Sequence, residues 1–289
     1  MHLRRIFISL TSAAIFAGAV VLPGQAAPTL VTLPKLTLAQ VQDLARVDVP
    51  PAGVGLLVHA DFPPTKPLEV AGDAFTSITL DVTSKGVVTR SATPKNSGSA
   101  TDEKVDECTD PTFASVGKRW SAQDVPVEFA FNRKSVPSYL SPWLTTRSLR
   151  EAHHAWAETN TKCSDDDAIE FSFNYVGEVS AHIKYDNLSV ADFGELDHAT
   201  AISYVWYTNS RIREVDLRFN KNYMWTNRPG IPRYNVKNVA VHEIGHHLGL
   251  DDLTNPHGSL TMYGVVSKGE LRKTTLGRGD VKGAELLTP

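Results

Sequence analysis

A chain of 289 residues is long enough for one large domain or two modest ones, each with a buried core. With 42% hydrophobic and 21% charged residues it is neither collagen-like nor wholly disordered. The formal charge of −3, with no basic cluster, argues against a nucleic-acid or anionic-membrane partner.

Arg4 and Arg5 precede an uncharged apolar run over residues 6–22, and Gly24, Gln25 and Ala26 supply small residues before a cleavage point. This three-part pattern predicts a signal peptide over residues 1–26 and a secreted protein; a membrane anchor is disfavoured by the short run and its small-residue exit. No later stretch is long and apolar enough to span a membrane. Without the two signal arginines, 27 Lys and Arg stand against 32 Asp and Glu, so the exported chain would carry about −5.

Residues 91–107 are polar and nearly free of large apolar side chains, as in an exposed linker. They divide a first part, residues 27–90, from a second, residues 108–289. In the first part, residues 37–47 predict a short helix, while residues 55–58 and 77–82 predict strands. Residues 27–107 as a whole read as a pro-segment or a small β-rich domain plus linker.

The second part predicts a strand at 125–131 and a long helix within 138–159, with Pro142 at or before its first turn. Strands follow at 169–176, 181–185, 200–206 and 214–219, then a helix over 236–250 and a short helix over 280–287 capped by Asp280. This order gives an α+β fold with one sheet and few helices. The two cysteines, Cys108 and Cys163, lack zinc-type spacing. In a secreted chain such a pair predicts one disulfide closing a loop of about 55 residues, worth about 4 kcal/mol on the chain-entropy model.

The segment Ala240-Val241-His242-Glu243-Ile244-Gly245-His246-His247-Leu248-Gly249-Leu250-Asp251-Asp252 carries the chemistry. On a helix His242 and His246 are one turn apart on one face and present two imidazoles to one point. Zinc takes nitrogen at such a site, and the flanking Glu243 can reach a zinc-activated water. A third ligand requires the chain to turn, which Gly249 permits, and Asp252 then approaches from another side. A chance HExxH is expected about 0.02 times in a chain with this many histidines. His257 and Asp251 are rival third ligands.

These residues match HExxHxxGxxH/D, and the chain resembles the metzincin zinc endopeptidases, in particular the matrixin-like branch. The resemblance covers roughly residues 108–289. It implies a zincin-type fold: one twisted mixed sheet, a long first helix, a zinc-binding active-site helix and a short C-terminal helix. It implies a Met-turn at Leu260-Thr261-Met262-Tyr263, with Met262 as an apolar floor. It also implies a substrate-pairing edge strand near residues 195–203, a pocket for the residue after the cleaved bond at residues 263–267, and a final helix starting near Gly279-Asp280-Val281. Matrixins use histidine where this sequence has Asp252; snapalysins have aspartate there. Matrixin pro-segments inhibit through cysteine, and residues 27–107 contain none. The Asp73 carboxylate is a candidate substitute, as in astacin pro-segments.

The expected function is thus a secreted zinc endopeptidase, a hydrolase made as a zymogen. One catalytic zinc would sit on His242, His246 and Asp252, with Glu243 as general base and acid. A non-peptide amide hydrolase and a catalytically silent binding protein are the alternatives. The expected partner is a protein or peptide substrate, with no nucleic acid and no membrane, and the chain is expected to be a monomer. Asp165-Asp166-Asp167 is the candidate for calcium, against an exposed acidic run.

Overall fold

The computed structural model describes residues 35–95, 105–163 and 169–289. The signal-peptide reading and the Asp165-Asp166-Asp167 candidate lie outside them.

The elements in chain order begin with α1 (Leu38–Ala45), β1 (Gly55–Asp61), β2 (Leu68–Val70), β3 (Asp73–Thr83) and β4 (Gly86–Pro94). β5 (Ala114–Ser115), β6 (Val127–Phe131), α2 (Pro142–Ala157), β7 (Phe173–Glu178), β8 (Ser189–Gly194), β9 (Ala201–Thr208) and β10 (Arg211–Asn220) follow. The chain ends with β11 (Trp225–Thr226), β12 (Tyr234–Asn235), α3 (Val236–His247), β13 (Leu250–Asp251) and α4 (Arg278–Leu287). This is the α+β architecture the sequence predicts. Pro142 stands in the first turn of α2 as expected, where its missing N–H costs nothing, and Ser141 caps the helix.

One nine-stranded sheet runs β2-β3-β1-β9-β10-β8-β6-β7, with β4 also on β3. β7, β6, β8 and β10 are mutually parallel, whereas β9 is antiparallel to β10. The two parts of the chain therefore share a sheet. β1 lies antiparallel on β9 along its whole length, from Gly55↔Tyr207 to Asp61↔Ala201.

The shared sheet creates two cores. The larger unites α2, α3, α4 and one face of β9 and β10, including Trp156, Val205, Leu217, Ile244 and Met262. The smaller packs Val41, Leu44, Leu56, Val58, Phe62 and Leu80 of the first part on Ile202, Tyr204 and Trp206 of β9. The alternation of β9 thus feeds both cores, as period-two side-chain geometry requires. Cys108 and Cys163 are disulfide-bonded, joining the start of the second part to the chain after α2.

Several expectations are corrected. Residues 91–94 belong to β4, so the polar stretch begins in a strand, where Ser77 and Thr93 hydroxyls bond to each other. The strand predicted at 169–176 starts only at Phe173 and runs to Glu178. Residues 181–185 form no strand; their neighbourhood is held by carboxylates from β10. Glu214 accepts from the amides of Asp186 and Asn187, and Asp216 from those of Lys184 and Val190. The sheet position falls to β8 instead, which the sequence reading missed. Asp280 is not the cap of α4: the N-cap is Gly277, and Asp280 sits in the first turn.

Candidate metal centre

α3 is buried on nearly every side, a helix running through the core rather than along the surface. Asn235 caps it, its side chain accepting from the Asn238 amide at 3.1 Å. Trp156 of α2 donates its indole N–H to the Val241 carbonyl at 2.8 Å and fixes the helix in place. His242 and His246 are fully buried one turn apart.

The helix stops at Gly249 for two reasons. Its φ of +96° is a left-handed conformation that glycine adopts readily, and a Cβ there would fall 2.1 Å from the Lys118 carbonyl oxygen. The chain then pairs β13 with β5 and brings Asp252 back to the histidines. His242, His246 and Asp252 each offer one ligand atom, and these atoms lie within 4.8 Å of one another. His242 Nε2 is 3.3 Å, and His246 Nε2 3.7 Å, from Asp252 Oδ1. Ligands about 2.0–2.1 Å from a tetrahedral metal stand about 3.3 Å apart, so these separations fit a zinc site.

The buried atoms fit it as well. His242 Nε2, His246 Nε2, both Asp252 oxygens and both Glu243 oxygens make no hydrogen bond. Such groups are costly to bury unpaired, and a cation satisfies them together. The other ring nitrogens are engaged: His242 Nδ1 with the Thr261 carbonyl at 2.8 Å and His246 Nδ1 with the Leu250 carbonyl at 3.0 Å. A carbonyl can only accept, so each Nδ1 carries the proton and each Nε2 offers a lone pair. Lys273 Nζ, which carries three donors, donates to the Tyr263 carbonyl and also lies 3.0 Å from His242 Nδ1.

The Asp61 and Asp252 carboxylates put negative charge at the cluster. Burial and the Asp61 charge push the Glu243 carboxyl well up. Burial and Lys273 oppose charge on His242, yet the Asp61 and Asp252 carboxylates outweigh them and lift that imidazole to about 10, so a zinc ion taking Nε2 would displace a proton from it. His246 is pushed down to about 4 by burial. Burial also lowers the Lys273 ammonium from its usual range.

Met262 packs against α3 at Gly245. A Cβ on Gly245 would sit 2.2 Å from its sulfur, so the glycine makes room for it. Asp280 holds this turn, accepting from the amides of Thr261 (2.8 Å), Met262 (3.0 Å) and Gly277 (2.8 Å).

The rival ligands are placed elsewhere. His257 Nδ1 pairs with Asp110 at 2.8 Å. Asp251 accepts from the hydroxyls of Thr79 (2.7 Å) and Ser91 (2.9 Å). Asp73 is exposed at the start of β3; the first-part carboxylate at the histidines is Asp61, with Oδ2 3.0 Å from His242 Nε2. The sequence reading missed Asp61 and Lys273, and gave Asp280 only as a helix cap. The strand signal stopped at Val58, and nothing local marks Asp61 as the residue on which the strand reaches the site.

The model of the matrixin family matches residues 112–287, well over half of the chain. The chain belongs to the matrixin family. A search of curated proteins finds no match. Matrixins are zinc metallopeptidases, so membership brings a catalytic zinc, a hydrolase activity and peptide substrates as the general function, and its members are generally secreted. Among the described residues no helix of this matrixin is long and apolar enough to cross a membrane.

Proposed function

We propose that this matrixin is a secreted zinc endopeptidase in which His242, His246 and Asp252 hold one zinc and Glu243 is the general base and acid. The observation that carries the reading is the convergence of buried, unpaired ligand atoms from His242, His246 and Asp252, with the unpaired Glu243 carboxylate buried on the same helix. When bound, zinc polarises a scissile carbonyl and acidifies a water beside it. Glu243 is one residue along the helix from a proposed ligand and has both oxygens free; a bound cation would offset the burial that holds its carboxyl up, leaving a carboxylate to take that water's proton and return it to the leaving amine. The Thr261 and Leu250 carbonyls hold the two imidazoles in the tautomer that presents Nε2 inward. A carboxylate as third ligand offsets more of the metal's charge than a neutral imidazole would. Met262 carries no chemistry and packs under the ligands. In the segment 263–267, half-buried Val265 favours an apolar side chain after the cleaved bond.

The test compares wild type with Glu243→Gln, with zinc content and casein cleavage measured on the same samples. Each is assayed before and after brief trypsin treatment, followed by a serine-protease inhibitor that leaves metal-dependent cleavage untouched. One zinc in both proteins, with cleavage only by wild type, supports the reading. Equal cleavage by the two, or no zinc in either, overturns it.

A further inference from the structure

The first part of the chain ends one of its strands inside the metal centre, and the contact is specific. β1 lies on β9 over seven paired residues, so the main-chain edge of β9 is occupied. The Thr200 amide donates to the Asp61 carbonyl at 2.6 Å, fixing the last residue of the strand. The Asp61 side chain is 2% exposed and both its oxygens lack a hydrogen bond. Oδ2 is 3.0 Å from His242 Nε2, close to the edge length of a tetrahedral zinc site. Two residues earlier, the His59 ring stacks on His246 at 4.0 Å and bonds to the Thr79 hydroxyl. Thr79 and Ser91 in turn hold Asp251, the neighbour of Asp252. Gly264, in the segment after the Met-turn, lies so close under this layer that a Cβ would meet Ser77 and Thr93 oxygens at 2.6 and 2.7 Å.

A zinc site with three protein ligands keeps a place for water and works catalytically, whereas four protein ligands close it. We propose that Asp61 is a fourth zinc ligand supplied by the first part of the chain, and that with β1 on β9 it holds the enzyme closed. The inference rests on the zinc-site reading above. It accounts for a buried carboxylate whose oxygens make no hydrogen bond among the described residues and whose near neighbour is the inward nitrogen of His242, and it assigns residues 35–95 the role of an internal inhibitor. Because Ile202, Tyr204 and Trp206 of β9 are buried under this part, it is a packed cover, and opening requires its cleavage or displacement. Asp61 approaches from the His242 side and is not within the tight group of three, so the closed form needs a modest turn of its side chain toward the metal.

The experiment uses the full chain as wild type, Asp61→Asn and Asp61→Ala. The asparagine variant has nearly the same shape and guards against a folding failure in the alanine variant. Each is loaded with zinc, and release to a chelator is timed. Each is also loaded with cobalt(II), and its visible spectrum is recorded with and without acetohydroxamate. Zinc release at least tenfold faster in both variants is expected, along with a hydroxamate-induced spectral change in the variants but not in wild type. Casein cleavage should rise in the same order. Equal zinc-release rates, and equal hydroxamate response of the cobalt(II) forms, in three metal-loaded proteins would overturn the role of Asp61 while leaving the zinc site intact. Failure of all three to bind zinc would instead overturn the zinc-site reading.

Discussion

Gly249→Ala should damage the metal centre more than its stability cost alone suggests. The substitution forces an L-residue to φ near +96°, which costs about 1–3 kcal/mol. It also drives a Cβ to 2.1 Å from the Lys118 carbonyl, a backbone atom that cannot swing aside. Relief must separate the chain from residues 115–118. That breaks the Val116 amide bond to the Gly249 carbonyl (3.1 Å) and weakens the Leu250↔Ser115 pairing, each hydrogen bond being worth about 1 kcal/mol. The total is about 3–5 kcal/mol, which lowers the melting temperature by about 6–20 °C for a protein of this size. Asp252 lies three residues beyond the distortion, so zinc retention should fall too. Gly230→Ala is the control: its φ is +73° with nothing within 4 Å of a Cβ, so only the backbone cost applies. Melting curves and zinc content after dialysis against a chelator provide the assay. If Gly249→Ala melts no lower than Gly230→Ala and keeps its zinc, the turn does not position the third ligand.

Gly245→Ala would place a Cβ 2.2 Å from Met262 Sδ and 2.8 Å from the Trp156 ring, overpacking worth about 1–3 kcal/mol. Adding Met262→Ala should recover part of that loss; strict additivity in a urea-melt cycle would deny the contact. Asp280→Asn leaves one oxygen for three backbone amides and should lower stability by about 2–3 kcal/mol, read from urea midpoints; a change below about 0.5 kcal/mol would remove Asp280 as the anchor of the Met-turn. Glu214 is pushed by burial from 4.5 up to about 7. The folded chain therefore holds that proton more tightly, and the associated stability is full below about pH 4.5 and lost as pH rises through about 7. Glu214→Gln should flatten the fall in unfolding free energy between pH 5 and pH 8; an identical fall in both proteins would refute the assignment.

The ligand helix was legible because its signal is local. Histidines four apart, an intervening glutamate and a glycine fix helix, face and turn within a dozen residues, and the geometry brings the predicted trio together. The disulfide was legible for a different reason: the chain has only two cysteines, and they are bonded to each other. What could not be read was long-range pairing. The first part looked separable because a polar stretch follows it, yet its strands join the sheet through β9, 140 or more residues away in sequence. Strand pairing of that range leaves no mark in either strand's own pattern, since both are simply apolar. Residues 181–185 misled in the opposite sense. Their apolar alternation resembles a strand, but Glu214 and Asp216 capture the nearby amides and leave the sheet position to β8. Asp280 reads as a cap from its neighbours, and its real partners, the amides of Thr261 and Met262, lie nearly twenty residues back.

Zinc content per chain in Asp252→Ala and His257→Ala, after equilibration with the same chelator, tests the ligand assignment most directly. His257 is paired with Asp110, whereas Asp252 faces both imidazoles with its oxygens free. About one zinc retained by His257→Ala and little by Asp252→Ala is the predicted result. Zinc kept by Asp252→Ala and lost by His257→Ala would contradict the site.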